Sequence, residues 1–120
     1  MKLPHLENAV IAEVKVRGYL LSETHEDGKS KAAFFMRFGF SAHEWETLAD
    51  ALREHIADHE VAGTLTTSRG VHYTVEGALQ TPTGETPLVR SVWVLETGST
   101  TPRFITAYPL KRREQEDAHD

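Results

Sequence analysis

The hydrophobic pattern changes period near residue 60: apolar positions recur at helical spacing before it and alternate after it. In the opening stretch, Pro4 blocks an early helix, and Ala9, Val10 and Ile11 suit a short edge strand or an extended arm. Residues 13–21 place Val14, Val16, Tyr19, Leu20 and Leu21 on one broad face and predict a short helix that Gly18 weakens. A polar loop over 22–30 leads to a second helix over 29–40, carrying Ala32, Phe35 and Met36, with Gly39 as its stop. Ser41 and Glu44 have the spacing of a capping box, so the third helix is expected over 42–59. It aligns Trp45, Leu48, Leu52, His55, Ile56 and His59.

Beyond Glu60 four strands are expected, over 61–67, 71–79, 88–95 and 104–108. Gly70, Gly84 and Gly98 fall in the turns between them, and Pro109 ends the last. Short turns between consecutive strands imply an antiparallel meander. A sheet of this kind needs one face covered, so the fold class is α+β, with N-terminal helices packed on a four-stranded antiparallel meander sheet. The aromatic residues Phe34, Phe35, Phe38, Phe40, Trp45 and Trp93 are most simply core.

Length and composition narrow this picture. At 120 residues, 39% apolar and 26% charged, the chain has material for one core, expected over 1–110. Residues 111–120, KRREQEDAHD, lack apolar side chains apart from Ala118 and predict a mobile charged tail. The absence of cysteine excludes disulfides and thiolate chemistry. No apolar run is long enough to cross a bilayer, and the N-terminus does not read as a secretory signal, so a cytoplasmic protein is expected. The net charge of −5 gives no general help in binding nucleic acid, which depends on Lys and Arg contacts to phosphate.

Several spaced pieces resemble a small bacterial family known only as a domain of unknown function. They are LPHLENAVI, YLLS, His25 and Gly28 ahead of Lys31-Ala32 and Phe34-Phe35, then Gly39-Phe40, PLVR, VWV and PRFITAYP. That family is similar in layout to the barnase, EndoU, colicin and RelE-like ribonucleases, many of which are toxins. The resemblance implies a metal-independent ribonuclease with no cofactor, the toxin of a toxin–antitoxin pair, with RNA as substrate and a cognate antitoxin or other protein as partner.

Cleaving RNA without metal requires a proton-transfer group and cations around the phosphate. Histidine suits the first role and Lys or Arg the second. His25 and Lys31 flank a loop-to-helix junction, with Lys29 between them, although solvated residues at a helix start read the same way. Arg90 and Ser91 lie inside the most apolar strand, where an arginine must either pair with a carboxylate or face a polar cleft. Thr106 and Tyr108 share a face of the last strand and can orient a phosphate, although both are also ordinary strand residues. The candidate catalytic set is therefore His25, Lys31, Arg90, Thr106 and Tyr108, with Lys29, Ser91 and Arg103 as substrate contacts. His55 and His59 have the i, i+4 spacing of a metal pair but lack a third ligand, so no metal site is assigned. The acidic charge favours a second reading, a non-catalytic protein-binding module on the same fold.

Overall fold

A computed structural model describes residues 1–25 and 29–110. The expected tail at 111–120 and the loop residues at 26–28 lie outside the described residues. After a single 3-10 turn at Leu6–Asn8 come α1 (Glu13–Lys15), which continues as a π-helical turn over Val16–Leu20, α2 (Lys29–Arg37) and α3 (Trp45–Asp58). The strands follow: β1 (Val61–Thr67), β2 (Gly70–Ala78), β3 (Leu88–Glu96) and β4 (Arg103–Pro109). They form one antiparallel sheet in the order β1-β2-β3-β4, the meander expected from the short turns. Among the described residues no helix is long and apolar enough to cross a membrane.

Helix boundaries differ from the sequence reading for local reasons. α2 stops at Arg37 because Gly39, at φ 99°, reverses the chain. The Gly39 N–H donates to Met36 O at 3.0 Å and the Phe40 N–H to Phe35 O at 3.3 Å, the paired bonds of a Schellman cap. The Phe35 and Phe40 rings meet edge-on beneath it. A Cβ at residue 39 would lie 2.8 Å from Pro82 Cβ, a second reason for glycine. The chain is thus still leaving α2 at Ser41. The Ser41 hydroxyl accepts the Glu44 N–H at 3.2 Å, but this closes a turn, and the long helix begins at Trp45 instead of residue 42.

The sheet buries one face under the helices. Tyr73, Val75, Val89, Trp93, Phe104 and Ala107 meet Leu48, Leu52 and Ile56 of α3, Phe35 of α2, and Val16 and Leu20 of the first helical segment in one core. Ala9 and Ile11 are buried beside β4, and Val10 makes a one-residue parallel bridge to Arg103, so the opening arm extends the sheet past its last strand. Phe34, Phe38 and Trp45, expected in the core, pack against it while partly exposed.

Two polar groups enter this core and correct the sequence reading. Ser91, expected to contact substrate, is fully buried: β3 turns it to the helix side, with Val89 and Trp93. Its hydroxyl accepts the Trp93 Nε1–H at 2.9 Å and lies 3.1 Å from His55 Nδ1. His55 Nε2 lies 3.1 Å from both Gly77 O and Val89 O, and only a protonated Nε2 satisfies two carbonyls. Nδ1 is then the acceptor for the Ser91 hydroxyl, and the imidazole is neutral. Burial, the largest influence, pushes the His55 pKa below 6.5 against the opposing pull of the Gly77 carbonyl. His59 Nε2 lies 2.9 Å from Ala78 O, and its ring occupies the space a Cβ at Gly77 would need. The i, i+4 histidines therefore dock α3 onto the end of β2.

Two outcomes follow. Leu52 is fully buried, so Leu52→Ala should lower unfolding free energy by ~2–5 kcal/mol in a urea titration. The unfolded state, whose histidine titrates near 6.5, takes up a proton that folded His55 refuses. This contribution is intact above pH 6.5 and is lost as pH falls from 6.5 through the lower folded pKa. The urea midpoint should fall on acidification through that window. His55→Gln should be less stable at pH 8 but show a shallower dependence on pH.

Candidate functional site

A cleft of about 460 Å³ opens where the first helical segment meets β4. Val14, Lys15 and Tyr19 form one wall, His25 closes the end, and Ile105 and Thr106 form the other wall. Two backbone irregularities shape it. The π-helical turn at Val16–Leu20 gives way to the loop bearing His25, and such turns recur at functional sites. Across the cleft, Trp93 pairs with Phe104 but Val92 pairs with Thr106, so Ile105 is an extra residue in β4. This bulge sends Phe104 into the core and Thr106 to the opposite side of the strand.

The Tyr19 ring is the hub of the cleft. The His25 ring meets it edge-on at a centroid distance of 5.0 Å. Lys31 Nζ lies 5.3 Å from the ring centroid and Lys15 Nζ 6.0 Å from it. Both are within cation–π range. Thr106 borders the cleft from β4, but its side chain lies with that of Tyr108 on the uncovered face, where the hydroxyl oxygen is buried with no hydrogen-bond partner among the described residues. An imidazole and two ammonium groups can together bind an anion and move a proton beside it.

The structure thus brings His25 and Thr106 into one cleft, with Lys31 against the same tyrosine. The other candidates lie elsewhere. Arg90 sits on the uncovered face of the sheet, where its Nε and Nη2 bind Glu76 Oε2 at 2.7 and 2.6 Å. Its Nη1 donates to the Tyr108 hydroxyl at 3.2 Å, and the guanidinium stacks over that ring. The Tyr108 bond foremost, and Glu76 with it, raise the arginine's pKa against the opposing effect of burial. Arg103 is exposed and pairs with Glu96, and Lys29 is exposed at the start of α2. Ser91 is enclosed in the core. Among the described residues no three His, Asp or Glu side chains are grouped to hold a metal ion.

Sequence reasoning missed Lys15 and Tyr19. Tyr19 counted only as apolar, and Lys15 stood outside the apolar face; their i, i+4 spacing was the available signal.

The domain of unknown function DUF6883 matches residues 2–111. The chain belongs to the DUF6883 family. No curated protein matches this DUF6883 chain. Its fold is similar to that of a chain in a contact-dependent growth inhibition toxin–immunity protein complex from Klebsiella pneumoniae 342. The TM-score is 0.66 at 20% identity, over 84% of this chain and 99% of that one. At that identity the likeness is one of fold.

The orphaned hydroxyl of Thr106 provides a test of stability. In the absence of ligand, Thr106→Val removes a buried oxygen without a partner and keeps a β-branched side chain in the strand. Thermal or urea unfolding should find the variant about 1 kcal/mol more stable than the parent.

Proposed function

We propose that this chain is a metal-independent ribonuclease, the toxin of a toxin–antitoxin pair, and that the cleft between the first helical segment and β4 is its active site. The observation that carries the reading is the convergence of His25, Thr106 and the Tyr19-bound Lys31 from three separate parts of the sequence. The structural neighbour belongs to a toxin–immunity complex, which fits a role in such a pair.

In this reading His25 takes the proton of a ribose 2′-hydroxyl. The 2′-oxygen bonds to phosphorus, the bond to the 5′-oxygen breaks, and that oxygen takes a proton from water. The products are a 2′,3′-cyclic phosphate and a 5′-hydroxyl, and His25 returns its proton to solvent. Lys31 offsets the charge gathering on the phosphate. Lys29, exposed at the start of α2, acts as a flanking contact for the rest of the strand.

A second reading is a protein-binding module. It is favoured by the net charge of −5 and by the uncovered sheet face, where Leu65 of the edge strand β1 is 65% exposed. The two separate on activity. Purified protein incubated with total RNA and a chelator should cleave it, and expression should arrest growth. His25→Ala and Lys31→Ala should each stay folded and cut ~10²–10⁴-fold more slowly. A wild-type protein that cuts no RNA, with or without metal, and arrests no growth leaves the binding module as the function.

A further inference from the structure

We propose that β1 is a self-association edge: two copies of this chain pair their β1 strands antiparallel about a two-fold axis at Thr64, each seating its Leu65 over Gly63 of the other. This edge lies across the sheet from the β4 cleft, and its pairing is independent of the ribonuclease reading.

The two edges of the sheet differ. β4 is shielded by the opening arm, where the Val10 N–H donates to Pro102 O and the Phe104 N–H to Val10 O, each at 2.9 Å. Among the described residues β1 has a strand on one side only. The ladder fixes which of its backbone groups are left over. The Thr97 N–H donates to Arg69 O, so odd-numbered residues of β2 bond to β3 and even-numbered ones to β1. Gly70, His72 and Thr74 therefore take Thr67, Leu65 and Gly63 as partners, and the N–H and C=O of Thr64 and Thr66 point away from the sheet. An edge that stays single is blunted by charge, proline or cover. β1 reads VAGTLTT, with no charged residue and no proline in a chain that is 26% charged. Its bulge lies at the start, between Val61 and Gly63, and the rest pairs regularly.

The side chains point to a second copy as the occupant. Leu65 is 65% exposed, and Gly63 stands two positions away on the same face. At that glycine is a hollow of about 360 Å³, bordered by His72, Thr74, Val92 and Tyr108. A knob and a hollow two residues apart on one strand fit a copy of themselves. Pairing Thr64 with Thr64 of a second copy sets each Leu65 opposite the other's Gly63, a self-complementary contact that one two-fold axis closes. These two form a non-hydrogen-bonded pair, in which side chains approach most closely. Charge agrees: Glu60 precedes β1 and Arg69 follows it, both exposed, and antiparallel pairing brings each to the end that carries the opposite sign. The Met1 ammonium already offsets part of the Glu60 charge, at 2.9 Å, so the leucine contact leads.

Sedimentation velocity of the full chain from ~1 μM to ~1 mM spans moderate to weak affinity. The mass should rise from the 13.5 kDa of one chain to that of two. Leu65→Lys should raise the dissociation constant roughly tenfold or more, the order of one leucine side chain returned to water. Thr64→Pro should abolish the dimer, since proline is tolerated on an edge but offers no N–H to a partner. Leu65→Lys, at an exposed side chain, decides alone if Thr64→Pro unfolds. The absence of cysteine allows register to be read as well. In Thr64→Cys the paired Cα atoms lie about 5.5 Å apart, within reach of a disulfide. In Thr66→Cys each residue faces Ala62 of the other copy, and the two cysteines are about 14 Å apart along the strand. Mild oxidation should cross-link Thr64→Cys and leave Thr66→Cys uncoupled. A monomer at every concentration overturns the inference. So does a dimer that ignores Leu65→Lys, or one that cross-links equally at both positions.

Discussion

One imidazole fixes how the helices sit on the sheet. His55 reaches from α3 to the carbonyls of Gly77 in β2 and Val89 in β3, while its other nitrogen takes the Ser91 hydroxyl that also accepts from Trp93. Each group in this chain has a donor facing an acceptor, and that holds for one tautomer and one protonation state of the ring. An apolar side chain would fill the same space without specifying where along β2 and β3 the helix sits; the hydrogen bonds are directional and do specify it. His59 repeats the anchor one turn later through Ala78 O, in the room left by Gly77. With α3 held over β2 and β3, the β4 side of the sheet is left for the first helical segment, and the cleft forms at that junction.

The large architecture was legible in the residues. Alternation after residue 60 marked all four strands nearly to their ends, and short turns implied their order. Helical spacing marked the buried stripe of Leu48, Leu52 and Ile56. The sharing of a face by Thr106 and Tyr108 was also visible in their spacing. What escaped was set by three-dimensional context. A capping-box pattern at Ser41 and Glu44 needs only a turn, and it formed one before the helix began. An i, i+4 histidine pair looks the same whether it awaits a metal or two carbonyls. Ser91 read as polar and therefore accessible because its two partners lie far away at residue 55 and two places along at Trp93. The bulge at Ile105 leaves no mark in alternation, yet it parts Phe104 from Thr106 and so makes one wall of the cleft.

The candidate site was half visible for a related reason. His25, Lys31 and Thr106 belong to residue types that announce proton transfer or anion binding, and the fold draws them to one place. Tyr19 announces only bulk, and its role as the common support for three side chains exists only once α1, α2 and the loop are assembled. Arg90 illustrates the opposite case. Its charge on an apolar strand pointed to function, but Glu76 and Tyr108 hold its guanidinium on the other face of the sheet. The overall charge of −5 likewise conceals local order, since Lys15 and Lys31 both lie near the Tyr19 ring that His25 also meets.

The claim on which the account turns is that RNA occupies the Tyr19 cleft and not the uncovered face of the sheet. The most direct measurement is a two-dimensional amide NMR titration of the folded protein with a 2′-O-methyl oligoribonucleotide, which cannot be cut through its 2′-oxygen. The account predicts saturable shifts confined to Lys15, Tyr19, His25, Ile105, Thr106 and their neighbours. Shifts centred on Leu65, His72 and Thr74 of the open face, or none at all at saturating oligonucleotide, would contradict it.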